Sequence, residues 1–119
     1  MKRSSHRSEQ VAETIRQVVA EALARETRDP RIGRVTVTGV TVTGDLAHAQ
    51  VRVLTGGDDT EKARALEGLR SAAGFLRTKV ARALAARTVP ELVFEIDRGA
   101  EHAARIDAIL ASLRDGGEV

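Results

Sequence analysis

The chain has 119 residues, of which 42% are apolar and 2% aromatic, and it contains no cysteine. That is the size of one domain, with a core that aliphatic side chains must fill. The lack of cysteine excludes a disulfide scaffold, thiolate zinc sites and cysteine nucleophiles, and it fits a reducing compartment. A formal net charge of +2 hides an uneven distribution, because residues 69–90 carry five basic side chains and no acidic one. Of the 19 basic residues, 16 are Arg, whose planar fork suits phosphate better than an ammonium does.

Residues 1–7 are basic and polar, and they read as a flexible N-terminus. No apolar stretch of signal-peptide length follows, and no segment is long enough to span a bilayer, so the expectation is a soluble, cytoplasmic protein. Residues 8–114 form the expected domain, and 115–119 a flexible tail.

From Ser8, a plausible N-cap, Val11, Ile15, Val18, Val19, Ala22 and Leu23 recur at helical spacing. This helix is expected to end near Glu26, because Pro30 disfavours helix at Asp29. Arg28-Asp29-Pro30-Arg31 then makes a turn with two guanidinium groups.

The run from Val35 to Thr43 alternates Val and Thr, a strand with one buried and one wet face. The alternation slips by one residue at Gly39, which predicts a β-bulge there. Gly44-Asp45 makes a turn into a second strand with Ala47, Ala49, Val51 and Val53 on one face. The pair reads as a hairpin.

Thr55 to Thr60 form a loop, with Asp59 or Thr60 as the candidate cap of the next helix. Ala63, Leu66, Leu69 and Ala73 keep helical spacing up to Gly74, and Leu76, Val80, Ala83 and Leu84 continue it. The spacing predicts helix–Gly–helix, kinked or broken at Ala72-Ala73-Gly74. After Pro90, Leu92, Phe94 and Ile96 define a third strand. Ala103, Ile106, Ile109, Leu110 and Leu113 give a C-terminal amphipathic helix over residues 100–114.

The order α-β-β-α-α-β plus a terminal helix defines an α+β single domain. With three strands, the helices are expected on one face of a small sheet. This order matches the type II KH topology, an RNA-binding module.

Little in the sequence supports catalysis. Gly56-Gly57 is followed by no Gly-Lys-Ser/Thr, so it is a turn and not a phosphate loop. His6, His48 and His102 are far apart and lack metal-site spacing. Asp58, Asp59 and Glu61 suit a helix start, where carboxylates complement the macrodipole and cap free amides. Neither a metal nor a cofactor is expected. The acid-free segment 69–90 has two readings: a solvated helix face, or a patch that attracts phosphate. With no Tyr or Trp, readout by base stacking has only Phe75 and Phe94 to use, which favours contact with RNA shape and backbone.

An ordinary KH module carries Gly-x-x-Gly between two helices, where this chain has Ala72-Ala73-Gly74. At that junction the chain resembles the ribosome-binding factor A family, over about Ser8 to Leu113. Other matching pieces are Asp29-Pro30-Arg31, Asp45-Leu46 with Ala49 and Val51, Gly74 with Arg77, Arg87, Pro90-Glu91-Leu92, Phe94 and Asp97. The resemblance implies a KH-like fold in which Ala-x-Gly marks a helix kink. It further implies binding to the free small ribosomal subunit near its decoding and neck region, and a part in small-subunit rRNA maturation and growth in the cold. It implies no enzymatic activity and no cofactor. The expected rRNA contacts are Arg28, Arg31, Arg70, Arg77, Lys79, Arg82 and Arg87, with Ala72, Gly74, Asp29 and Pro30 shaping the site. A monomer with no membrane contact and no small-molecule substrate is expected. A generic KH-type binder of single-stranded RNA and a protein-interaction module using the C-terminal helix remain as alternatives.

Overall fold

The computed structural model describes the backbone of residues 2–25, 30–86 and 88–116, and side chains from Arg7 to Asp115 within those ranges. Three helices and three strands follow in the order α1 (Lys2–Arg25), β1 (Val35–Val42), β2 (His48–Thr55), α2 (Asp59–Leu84), β3 (Glu91–Ile96) and α3 (Arg98–Gly116). The architecture is the KH-like α+β domain anticipated above.

Helix α1 starts six residues before the expected cap. Ser8 is therefore a mid-helix residue, and it is buried beside the end of β1, where it lines a groove with Val40, Thr41 and Val42. Packing against the sheet carries the helix past a side chain that local propensity alone would place at its start. Further along, Val11, Ile15, Val19 and Ala22 form the buried stripe that the periodicity predicts.

The sheet order is β1-β2-β3. Strands β1 and β2 pair antiparallel, and the register shifts between Val37 and Gly39, so Val37 faces Val53 while Gly39 faces Arg52. The bulge puts Val35, Val37, Val40 and Val42 on one face, which an uninterrupted two-residue alternation would not do. It also frees Thr38, whose hydroxyl donates to Asp97 Oδ2 at 2.5 Å. Gly39 lies under Arg52: a Cβ there would come within 2.6 Å of the guanidinium. Arg52 in turn donates to Thr41 Oγ1 and to Gln50 Oε1, both at 2.8 Å, on the outer face of the sheet.

Strand β3 adds to the other edge of β2 in parallel, from His48 opposite Glu91 to Val53 opposite Ile96. A parallel neighbour needs a long crossover, and α2 supplies it. Helix α2 opens with a capping box: Asp58 Oδ1 accepts from the Glu61 amide at 2.9 Å, and Glu61 Oε1 accepts from the Asp58 amide at 3.0 Å. The cap is thus Asp58, one residue before the expected Asp59 or Thr60.

The helix then runs unbroken through Gly74 to Leu84, so of the two expected readings, kinked or broken, the break is not found. Helix-forming neighbours on both sides carry it past one glycine, whose interior cost is only about 1 kcal/mol. At its end Ala85 takes a left-handed conformation (φ 53°), and the Ala85 and Ala86 amides close on the carbonyls of Arg82 and Ala81.

One face of the sheet packs against α1 and α2. Phe94, Ile15, Leu69, Leu76, Val19, Val51, Val53 and Val80 fill the space between and are fully buried. Helix α3 behaves differently. Its first turn is anchored: Asp97 Oδ1 accepts from the Ala100 amide at 3.0 Å, and Lys62 Nζ lies 2.5 Å from Glu101 Oε2. The Thr38 hydroxyl and the Ala100 amide hold the Asp97 carboxyl below the usual range, and Lys62 does the same for Glu101. Beyond this turn no described residue of α3 is buried, and Ile106, Ile109, Leu110 and Leu113 are exposed. The radius of gyration, 16.5 Å, exceeds the ~13.5 Å of a compact domain of this length, as a projecting helix requires.

Candidate nucleic-acid interface

The cationic side chains expected to bind RNA divide into two groups on α2. At 3.6 residues per turn, Arg70 and Arg77 lie about 20° apart, Arg82 is about 120° round from Arg70, and Lys79 is on the opposite flank. Leu69, Leu76 and Val80 occupy the buried side between those flanks. The basic residues therefore straddle the solvent face of the helix and do not form one narrow stripe.

On the β3 side, Arg77 Nη2 donates to the Val89 carbonyl at 3.2 Å. This bond ties the helix to the segment that leads into β3, so Arg77 has a structural role as well as a charge. On the α1 side, Lys79 and Arg82 line an open groove of about 450 Å³ with Gln17, Val18, Glu21, Ala22 and Ala83. The Lys79 ammonium sits 5.1 Å from the centroid of the exposed Phe75 ring, a cation–π distance. Phe75 is 48% exposed while Phe94 is 2% exposed, so only Phe75 of the two aromatic residues is available to a ligand.

Arg31 reaches the same helix from the turn before β1, donating from Nη2 to Ser71 Oγ at 3.2 Å. Forty positions apart in the chain, these residues show that the basic turn and the basic helix are neighbours. Pro30 is exposed beside Arg31. Arg28, Asp29 and Arg87 lie outside the described residues.

Gly74 sits on the exposed side of α2. A Cβ there would meet nothing within 4 Å, so packing inside the domain does not demand glycine. Ala72, in contrast, is half-buried against the core. The Thr78 hydroxyl also donates to the Gly74 carbonyl, at 3.1 Å, one helical turn back.

Two arginines that the sequence reading passed over come into view here. Arg34 and Arg64 line a cleft with Arg31. Arg64 precedes the acid-free window and Arg34 stands alone before β1, so charge runs do not flag them. Among the described residues no group of three His, Asp or Glu side chains could hold a metal ion. Among the described residues no helix is long and apolar enough to cross a membrane.

Fold and surface together define a KH-like α+β domain with a cationic helix and turn facing solvent. The chain belongs to the ribosome-binding factor A family, whose pattern it matches over residues 7–110. It is 47% identical over 111 residues to ribosome-binding factor A of Rhodopirellula baltica, covering 93% of this chain and 81% of that one. Among solved structures it resembles a Thermotoga maritima protein described as a ribosome binding factor A, with TM-score 0.68 and 32% identity over 76% of this chain and 87% of that one. It also resembles a homology model of the Thermus thermophilus ribosome binding factor A fitted into the cryo-EM map of its complex with 30S. There the TM-score is 0.59 and the identity 27%, over 80% of this chain and 96% of that one.

Proposed function

We propose that this protein binds the free small ribosomal subunit and assists maturation of its rRNA, acting in the cytoplasm as a monomer without catalysis of its own. The observation that carries this reading is the acid-free run from Leu69 to Pro90, with Arg70, Arg77 and Arg82 exposed on one continuous helix. Such a surface attracts phosphate and releases counterions on binding. The Thermus relative fitted into a 30S complex supports the choice of partner. Arg28, Arg31, Arg70, Arg77, Lys79, Arg82 and Arg87 are the proposed rRNA contacts. Gly74 is the point where a phosphate backbone comes close, since its exposed backbone has no side chain to bar the approach. Asp29, Pro30 and Ala72 position this surface.

Sedimentation of a lysate containing the tagged protein tests the reading. Co-migration with free small subunits, and not with complete ribosomes, supports an assembly factor; a position at the top of the gradient at low salt refutes it. Loss of the gene is expected to slow growth in the cold with accumulation of precursor small-subunit rRNA. Arg70→Ala with Arg82→Ala is the cleanest footprint variant, because Arg77 also holds the Val89 carbonyl. It is expected to lower the slope of log affinity against log salt by about 0.7–0.9 per lost phosphate contact.

A further inference from the structure

On the side of the domain away from β3, the turn at residues 30–34, the end of β2 and the first turns of α2 enclose a cleft of about 270 Å³. Arg31, Arg34 and Arg64 line it, and the carboxylate in its wall belongs to Glu61. That carboxylate is already engaged, accepting the Asp58 amide in the capping box. Arg34 and Arg64 are exposed and make no side-chain hydrogen bond or ion pair with any described residue. Three guanidinium groups from two stretches of chain, the turn before β1 and the start of α2, thus line one cavity that has a single carboxylate in its wall.

A second observation comes from the floor of the cleft. Thr55 is 7% exposed, and its hydroxyl is buried with no hydrogen-bond partner among the described residues. Buried hydroxyls are nearly always partnered, by protein, ordered water or an ion, so this one has a hydrogen bond left to make. Gly33 and Gly56 contribute backbone to the wall without side chains, and Gly33 is in the left-handed region (φ +56°).

We infer that this cleft binds one phosphate group, held by Arg31, Arg34 and Arg64 and hydrogen-bonded by the Thr55 hydroxyl. The chemistry fits the shape. A guanidinium presents paired N–H donors to a tetrahedral oxyanion, and the cavity lies just below the ~300–1,000 Å³ of sites that enclose a whole small molecule. A single phosphate fits, whether it belongs to an RNA backbone or to a free phosphorylated compound.

The first test is a titration of the full chain with inorganic phosphate at fixed ionic strength, followed by amide NMR. The signals of Gly33, Arg34, Thr55, Gly56 and Arg64 are expected to shift and saturate, and Arg34→Gln with Arg64→Gln to weaken the apparent affinity about tenfold or more. Shifts that never saturate, that spread evenly over the basic surface, or that persist in the double variant would overturn the site. Thr55→Val separates binding from folding. Removing an unpartnered buried hydroxyl leaves the phosphate-free melting temperature equal or higher, while phosphate then stabilises the variant less than the wild type. A variant that melts lower without phosphate and gains as much from it would also refute the assignment.

The source of the phosphate is read separately, from the salt dependence of small-subunit binding by the double arginine variant. A slope lower by about 0.7–0.9 corresponds to one lost nucleic-acid phosphate and assigns the cleft to rRNA; an unchanged slope assigns it to a free phosphorylated ligand. The phosphate titration stands even if the protein fails to bind the subunit.

Discussion

Helices α1 and α3 show the same kind of periodicity in sequence and meet opposite fates in the fold. In α1, Ile15 and Val19 are 0% exposed, whereas in α3 Ile109 and Leu113 are 49% and 61% exposed. Periodicity specifies which face of a helix is apolar but says nothing about what covers it. What distinguishes the two helices is position in the chain: α1 leads into β1 and lies across the sheet, while α3 leaves the far end of β3, held by Asp97 and by the Lys62–Glu101 pair.

That contrast can be broken by mutation. Phe94→Ala and Ile15→Ala should be the most damaging changes, costing about 3–5 and 2–5 kcal/mol, as full burial in a dense core requires. Ile109→Ala should stay within about 0.5 kcal/mol, the range of surface substitutions. Urea denaturation of the three variants checks the ranking, and a large loss for Ile109→Ala would mean that α3 is covered in solution. Next in size, a chain truncated after Arg105 should keep cooperative unfolding and lose less than about 1 kcal/mol, because none of the described residues removed is buried.

Gly74→Ala sharpens the comparison within α2. With open space around the new methyl group, it should stabilise the domain by about 0.5–1 kcal/mol and weaken subunit binding if a phosphate backbone approaches there. A stabilised protein that binds as tightly as wild type would remove Gly74 from the interface.

The smallest effect concerns pH. Asp97 has its carboxyl lowered chiefly by the Thr38 hydroxyl, so its contribution is present above the unfolded-state carboxylate value and is lost as pH falls through the folded one. Asp97→Asn keeps a capping oxygen but cannot titrate, so its melting temperature should fall less steeply than the wild type's below about pH 4.

Much of this was legible in the sequence. The slip from Val37 to Val40 around Gly39 announced the bulge, because a two-residue period cannot shift phase without an extra residue. The hairpin, the parallel-edge residues Leu92, Phe94 and Ile96, and the family resemblance around Gly74 were equally readable. Other features depended on tertiary contact. Ser8 looks like a cap until β1 packs beside it, and Gly74 looks like a break until the flanking turns carry the helix through. Of the candidate site, the charges of Arg70, Arg77, Lys79 and Arg82 were visible as a run, but their division between two flanks needed the buried face to be fixed. Arg34 and Arg64 were missed because 30 positions separate them and the crossover brings them together. Nothing local in Thr55 reveals that its hydroxyl is left without a partner.

The parallel pairing of β3 with β2 also bears on how the chain folds as it is synthesised. The β1–β2 hairpin is local and can close once Thr55 is available, whereas β3 begins only at Glu91. Until the crossover helix and its following strand have both emerged, β2 has one edge unpaired, with its amides and carbonyls open to other strands. Closing that edge is the step with the longest loop to order, so it should set the pace of folding. Residues 56–90 are therefore a clock as well as a surface: their helix must form and dock before the sheet can be completed.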